Sequence, residues 1–298
     1  MSTPALKALL EPELLAKLDQ LEVLTQKVFR GRTKGERRSR KKGQSIEFAD
    51  YREYVPGDDT RFLDWNVYGR LERLYIKLFL EEEDLAFYVI VDTSESMNFG
   101  TPVTKFEYAR KLGAALAYIA LKNQDKVGIT DLKEGVESQF RPVRGKGQIN
   151  KALTFMEGMQ PGSGTNLLDA CRSFVHQNKQ QGIVVLISDF LDERGYEDAL
   201  KQFFLRNYEV YCVQVLSKEE REPETVGHLE FIDSESGERQ EVTVSEALLK
   251  EYKRNLEAFC GGLRDWCTNH GMVYLPATTD VAVDKLLLSY LRQLGLLR

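Results

Sequence analysis

The chain has 298 residues, of which 42% are hydrophobic and 29% charged, and its formal net charge is −5. This composition predicts a globular protein with one large core and an appendage, and it excludes intrinsic disorder as the main state. No apolar run approaches the roughly 20 residues that span a bilayer, and Glu and Lys interrupt the N-terminal apolar residues, so we predict a cytoplasmic protein without a transmembrane segment or secretion signal.

The cysteines and histidines predict neither disulfide bonds nor a zinc site. The cysteines lack CxxC spacing, and we interpret them as reduced and structural. They are Cys171, Cys212, Cys260 and Cys267. The histidines form no paired ligand spacing. They are His176, His228 and His270.

The N-terminal region combines an amphipathic pattern with a basic run. Leucines at helical spacing predict a helix from Glu11 to Arg30. The segment Arg30–Lys42 carries about +7 by count. It could bind phosphates or an anionic membrane, stay solvated, or pair with the acidic residues Glu81–Asp84. The acidic remainder of the chain and the absence of aromatic residues within the run argue against nucleic-acid binding.

Residues 44–84 read as a small β element. Pro56–Asp59 has the sequence of a tight turn, and Leu74–Leu80 alternates like a strand. Charged side chains are dense here, and we favour an internal ion-pair network over a separate active site. They are Glu47, Asp50, Arg52, Glu53, Asp58, Asp59, Arg61 and Asp64, beside Trp65.

From residue 85 onward, apolar strands alternate with helical patterns, which predicts an α/β fold with a mostly parallel sheet. Phe87–Val91 and Ile183–Ile187 are continuous apolar runs typical of strands buried on both faces. Lys126–Leu132 and Val136–Val143 predict an antiparallel edge pair. The other predicted elements are helices at Lys105–Lys122, Gln148–Met159, about 167–178, Tyr196–Arg206, Glu246–Asn269 and Val281–Leu296, and strands at Glu209–Leu216 and Met272–Leu275.

These patterns divide the chain into three predicted parts. Residues 1–43 are an amphipathic helix and basic linker, and residues 44–84 are the β-rich extension with the PGDD turn. Residues 85–298 are the main domain, with an inserted hairpin at about 228–244.

Oxygen-bearing side chains lie at the ends of three predicted βα units. Asp92, Ser94 and Ser96 follow the first buried strand at alternate positions, Asp189 follows the second, and Thr165 lies in a loop between them. Loops at the carboxyl ends of strands carry the ligand sites of open α/β sheets. A hard cation such as Mg²⁺ prefers oxygen ligands, so these residues are a candidate metal site. The alternative is that Asp92, Thr165 and Asp189 cap the helices that follow them.

The five residues resemble the metal-ion-dependent adhesion site (MIDAS) of von Willebrand factor A domains, Asp-x-Ser-x-Ser followed by a distant Thr and Asp. This resemblance implies a von Willebrand factor A-like, Rossmann-like doubly wound sheet, and Mg²⁺ or Mn²⁺ bound by Asp92, Ser94, Ser96, Thr165 and Asp189. The stretch before the central strand and FIDSESGE further on are similar to a bacterial and archaeal family of unknown function often encoded beside MoxR-type AAA+ ATPases.

The resemblance favours a non-enzymatic interaction module, an adaptor or chaperone-like partner of a MoxR-type ATPase in assembly of protein complexes, with a partner carboxylate completing the metal shell. One alternative is a binder of nucleic acid or acidic lipid through Arg30–Lys42. Another is a metal-dependent phosphohydrolase, but the chain lacks a P-loop, a GxSxG elbow and the second acid of a dehalogenase-like loop, where Ser94 stands.

Overall fold

A computed structural model describes residues 9–21, 46–81, 86–133, 135–162, 166–223, 227–232, 239–291 and 296–297. The chain forms two compact units, one of Gln26–Leu85 and one of Met1–Thr25 with Ala86–Arg298. The predicted basic segment Arg30–Lys42, the acidic residues Glu82–Asp84 and the predicted ligand Thr165 lie outside the described residues.

The strands and helices alternate along most of the larger unit. The strands are β1 Ile46–Glu53, β2 Tyr75–Glu81, β3 Ala86–Asp92, β4 Lys126–Leu132, β5 Val136–Arg144, β6 Gly182–Ser188, β7 Glu209–Leu216, β8 Gly227–Ile232, β9 Arg239–Val244 and β10 Val273–Thr278. The helices are α1 Pro12–Leu18, α2 Trp65–Leu71, α3 Lys105–Lys122, α4 Ile149–Glu157, α5 Leu167–Gln177, α6 Glu197–Leu205, α7 Lys218–Arg221, α8 Glu246–Asn269 and α9 Val283–Lys285.

The central sheet has the strand order β10-β7-β6-β3-β4-β5. Its pairs are parallel except for β4 with β5 at one edge, as predicted. The two strands predicted to be buried on both faces, β3 and β6, are adjacent and buried along their whole length. The prediction of an α/β fold with a mostly parallel sheet and an antiparallel edge strand is confirmed.

Both faces of the sheet are covered by helices. On one face, Tyr88 belongs to an apolar cluster with residues of α5, α6 and α8, and its ring lies 5.2 Å from that of Phe174. On the other face, α3 approaches β3 at Gly113, where an added Cβ would lie 3.0 Å from Val89 Cγ1. Glycine is needed there because the helix backbone lies so close to the strand. The result is a doubly wound sheet.

The N-terminal helix is shorter than predicted. The predicted helix Glu11–Arg30 is interrupted, since α1 ends at Leu18 and is followed by a turn. Two backbone carbonyls after the helix bind side chains from the end of α3 instead: Lys122 Nζ lies 2.6 Å from the Asp19 carbonyl and Asn123 Nδ2 3.1 Å from that of Leu21. Tertiary contacts therefore end the helical hydrogen bonding here. Residues 22–30 lie outside the described residues.

The unit of Gln26–Leu85 contains the antiparallel pair β1 and β2. The predicted turn at Pro56–Asp59 is present, and Asp58 accepts a hydrogen bond from the Val55 N–H. Helix α2 was not predicted; Asp64 begins it by accepting hydrogen bonds from the N–H groups of Asn66 and Val67.

Four ion pairs in this unit involve the predicted charged residues, and two of the four use Arg73 and Lys77, which were not in the predicted set. They are Arg52–Asp58, Arg61–Asp59, Arg73–Glu53 and Lys77–Asp64.

The C-terminal part contains the predicted hairpin, β8 with β9, before the long helix α8. The last strand extends to Thr278, three residues beyond the prediction. The predicted continuous helix Val281–Leu296 is wrong, because α9 has three residues and continues as a π-helical turn over Leu286–Leu291. Apolar spacing alone does not distinguish the α from the π hydrogen-bond pattern. Within the described ranges, no helix has the length and apolarity to cross a membrane.

Candidate metal centre

The site begins where two neighbouring core strands end. β3 ends at Asp92 and β6 at Ser188, and the strands run parallel with Val91 opposite Ile187. The Ser188 hydroxyl donates a hydrogen bond of 2.5 Å to Asp92 Oδ2. Parallel pairing therefore brings Asp92 and Asp189 to the same edge of the sheet, although they are far apart in sequence.

The serines of the loop after β3 connect the two aspartates. The Ser94 N–H donates to Asp92 Oδ1 at 3.0 Å, and the Ser94 and Ser96 hydroxyl oxygens are 3.0 Å apart. The Ser96 hydroxyl donates to Asp189 Oδ2, also at 3.0 Å. The structure thus brings four of the five predicted ligands into one hydrogen-bonded cluster.

The fifth predicted ligand, Thr165, is not described, but the chain on either side of it is. The Gly162 N–H donates to the Thr93 carbonyl at 2.9 Å, and Gly162 forms a parallel bridge with Ser94. After the gap, the Leu167 N–H donates to Asp192 Oδ2 at 2.8 Å, in the loop that follows Asp189. Gly162 and Leu167, on either side of Thr165, therefore contact the loops that carry the cluster.

Sequence analysis missed a buried lysine at this site. The Lys105 side chain has no exposed surface, and its Nζ lies 2.7 Å from Asp189 Oδ2 and 2.6 Å from Glu220 Oε1. Lys105 is the first residue of α3, where the helix dipole disfavours a cation. A lysine at the start of an apolar helix was the only sequence signal, and Glu220, 115 positions away, gave none.

The backbone after β6 is held in a special conformation. Phe190 has a φ of 60°, in the left-handed region, although it is not glycine. Its N–H donates to the Ser188 hydroxyl at 2.9 Å, and the Leu191 N–H donates to Asp189 Oδ1 at 3.1 Å. Strained residues of this kind persist where surrounding contacts determine them, often at functional sites. Here the strain accompanies the orientation of the Asp189 carboxylate.

Burial has the largest effect on the ionisable groups of the cluster, and their charges act on one another in addition. Burial, followed by the negative charge of Asp189, raises the pKa of Asp92 to about 6. Burial opposes the charge of Lys105, but the attraction of Asp189 and Glu220 outweighs it and raises the pKa of the ammonium. Burial also raises the pKa of Asp131, which accepts a 2.5 Å hydrogen bond from the Thr93 hydroxyl. Ionised Asp92 is therefore destabilised in the absence of a further positive charge.

Comparison with known proteins identifies the family. A family described as "Protein of unknown function DUF58" matches residues 50–258, which is more than half of the chain. The chain belongs to the DUF58 family. The uncharacterized protein Rv1480 of Mycobacterium tuberculosis is 26% identical to this DUF58 chain over 275 residues, covering 91% of this chain and 86% of that protein. The uncharacterized protein Mb1516 of Mycobacterium bovis gives the same values.

The DUF58 chain also resembles solved structures. BatB from Bacteroides thetaiotaomicron is 17% identical with a TM-score of 0.42, over 71% of this chain and 98% of that chain. The SpRpn10 VWA domain is 12% identical with a TM-score of 0.40, over 69% of this chain and 94% of that chain. Because these TM-scores are below 0.5, the description of the fold rests on the strand order and directions in this chain.

The capping alternative is wrong for Asp92 and Asp189 of this DUF58 chain, whereas Thr165 lies outside the described residues. Helix α3 is capped by Thr104, which forms a capping box with Glu107. Helix α5 is capped by Asn166, and α6 has no side-chain cap. Asp92 and Asp189 instead accept hydrogen bonds from N–H groups two residues further on, within the strand-end loops.

The donor set of the cluster fits a hard divalent cation. Asp92, Ser94, Ser96 and Asp189 offer only oxygen atoms, and the hydrogen bonds to Asp92 come from uncharged donors, Ser188 and the Ser94 N–H. Two carboxylates match the charge of one dication. Within the part of the chain that the structure describes, no group of three or more His, Cys, Asp or Glu side chains could hold a metal. A metal here would therefore depend on the serine hydroxyls.

The cysteines agree with the structural interpretation. Cys171, Cys212 and Cys267 are buried and Cys260 is half-buried, and all four are free thiols. Burial raises the pKa of Cys171, with a smaller effect of the nearby Asp92. A raised thiol pKa keeps Cys171 protonated and unreactive, whereas the hydrogen bond with Cys212 lowers the pKa of Cys267.

Proposed function

We propose that this DUF58 chain is a non-enzymatic protein-interaction module that binds its partner through Mg²⁺ or Mn²⁺ at Asp92, Ser94, Ser96, Thr165 and Asp189. The observation that carries this proposal is the convergence of four of these side chains at the ends of β3 and β6. Chance occurrence of an Asp-x-Ser-x-Ser sequence would not bring Asp189 within 3.0 Å of Ser96.

The chemistry of the cluster favours binding of a partner's carboxylate. A bound dication with two carboxylates and neutral hydroxyl ligands stays electrophilic and can accept one more anionic oxygen. Asp92, Ser94 and Asp189 are buried, whereas Ser96 is partly exposed. Phe99, at the end of the same loop, is an apolar side chain that is 50% exposed. Acidic and apolar side chains of another protein would suit this edge.

For the partner, we propose a MoxR-type AAA+ ATPase or one of its clients, with both proteins in the cytoplasm. This part of the proposal is supported by the family resemblance of the sequence alone. The interaction would serve assembly or maturation of protein complexes, with the ATPase supplying the energy.

The test is binding of the purified chain to a MoxR-type ATPase from the same organism, measured by biolayer interferometry. We expect binding with Mg²⁺ or Mn²⁺, loss of binding with chelator, and loss in Ser96→Ala. Asn98→Ala is the matched control, since Asn98 is exposed in the same loop and bonds only to Glu95 among the described contacts. Binding that persists with chelator would refute the metal bridge. Phosphate-monoester hydrolysis that disappears in Asp92→Ala would refute the non-enzymatic role.

A further inference from the structure

Lys105 binds a carboxylate of the proposed metal site. Its Nζ donates to Asp189 Oδ2 at 2.7 Å, and the same oxygen accepts the Ser96 hydroxyl at 3.0 Å. The other oxygen, Asp189 Oδ1, accepts the Leu191 N–H. The carboxylate oxygen that faces the predicted serine ligand is therefore already bound to an ammonium.

The position of Lys105 is costly, so a compensating interaction must hold it there. A fully buried ammonium loses its hydration, and the first residue of a helix is unfavourable for a cation. The Lys105 N–H is anchored to the Phe99 carbonyl at 2.9 Å, which fixes the start of α3. Only the two carboxylates, Asp189 and Glu220, offset the burial among the described contacts.

The second carboxylate is itself rigidly placed. Glu220 Oε2 accepts the Ser217 N–H at 2.8 Å, while the Glu220 N–H donates to the Ser217 hydroxyl at 3.0 Å. This reciprocal capping box leaves Glu220 Oε1 directed at Lys105. Glu220 is thus the fixed partner of Lys105, and Asp189 is the partner that a metal ion could take over.

We infer that Lys105 competes with the divalent cation for Asp189, so that it replaces the metal in the metal-free protein and weakens metal binding. Two positive charges cannot share one carboxylate oxygen without repulsion. Binding of the cation would require Lys105 to move toward Glu220. The chain would then bind metal weakly by itself, and a partner's carboxylate would be needed for tight binding. This inference rests on the proposed metal site.

The test compares the dissociation constants of Mn²⁺ and Mg²⁺, measured by calorimetric titration, in the wild type and in Lys105→Met. We expect the variant to bind metal about tenfold more tightly or better. With chelator the variant should unfold at a lower temperature than the wild type, and added metal should restore the stability that the variant lost. Glu220→Gln is the directional control, because it leaves Lys105 with Asp189 alone and should not tighten metal binding.

A second variant and a measurement on the wild type cover the case in which Lys105→Met does not fold. Lys105→Met with Glu220→Gln removes both the ammonium and the carboxylate it would leave unpaired, and it should also bind metal more tightly. In the wild-type chain, the NMR signal of the Lys105 ammonium should shift on titration with Mg²⁺.

The possible results separate this inference from the proposed function. Metal binding of equal strength in the wild type and Lys105→Met, or an unmoved Lys105 signal at saturating Mg²⁺, would overturn the competition and leave the metal site intact. If neither protein binds metal, the proposed site fails and the competition fails with it. Binding detected only in the variant would support the competition, which predicts weak metal binding by the isolated wild-type chain.

Discussion

Substituting Asp92 by Asn should have opposite effects on stability with and without metal. In the metal-free protein, Asp92 is a buried carboxylate beside Asp189, and its pKa is raised to about 6 from 3.8. For an acid, a raised pKa in the folded state means that ionisation destabilises folding. This penalty is absent below about pH 4, grows as the pH rises to about 6, and is complete above it. Asn keeps the shape of the side chain and removes the charge.

The magnitude follows from the pKa shift and the hydrogen bonds. A shift of about two units corresponds to about 3 kcal/mol of destabilisation at pH 8. The substitution also costs about 1 kcal/mol. One of the two carboxylate oxygens of Asp92, which accept hydrogen bonds from the Ser94 N–H and the Ser188 hydroxyl, becomes an NH₂ group that cannot accept them. The net stabilisation of metal-free Asp92→Asn is then about 2 kcal/mol. Metal at about 100 times its dissociation constant stabilises the wild type by about 2.7 kcal/mol and should not stabilise the variant, so the order of stability reverses.

The assay is urea unfolding at pH 8 of the wild type and Asp92→Asn, each with chelator and with Mg²⁺. The matched control is Asp265→Asn, since Asp265 is an exposed residue of α8 and should change neither result. A variant that is less stable than the wild type in chelator would refute the argument from buried like charges. Equal stabilisation of both proteins by Mg²⁺ would refute the role of Asp92 as a ligand.

Three further predictions test the core, the smaller unit and the undescribed ligand. Phe174→Ala should lower the free energy of unfolding by about 3–5 kcal/mol because Phe174 is fully buried. Phe204→Ala, at a side chain that is 48% exposed, should lower it by less than about 1 kcal/mol. The midpoints of urea unfolding of the two variants and the wild type measure these differences. The ammonium of Lys77 holds the pKa of Asp64 at about 2, so Asp64→Asn should increase hydrogen exchange in residues 46–81 at pH 7. The difference in exchange between the wild type and the variant should vanish as the pH falls from about 4 to 2. A difference that persists at pH 2 would contradict the ionic contribution. Thr165→Val should reduce the rise in melting temperature caused by Mg²⁺ and leave the melting temperature in chelator unchanged. A rise as large as in the wild type would remove Thr165 from the ligand set.

The main features of the fold were predictable because they depend on local sequence patterns. Apolar runs such as Phe87–Val91 indicate strands buried on both faces, and the alternation of strands with helical spacing indicates a parallel sheet. The ends of α1 and of the C-terminal helical segment were not predictable. Lys122 and Asn123 bind carbonyls after α1, and such contacts from distant residues override local spacing.

For the site, the residue types were readable from the sequence and their arrangement was not. Oxygen-bearing side chains after apolar strands make these residues a candidate cation site, because the preference of a hard cation for oxygen depends on the type of side chain. The adjacency of β3 and β6 brings Asp92 beside Asp189, and the tertiary fold brings Lys105, at the start of α3, to Asp189 after β6 and to Glu220 of α7. Sequence by itself therefore determined the strands and the candidate ligands. Only the tertiary structure decided that a buried ammonium shares the site. Lys105 is separated in sequence from Asp189 by 84 positions and from Glu220 by 115, and contacts over such separations depend on the packing of whole elements.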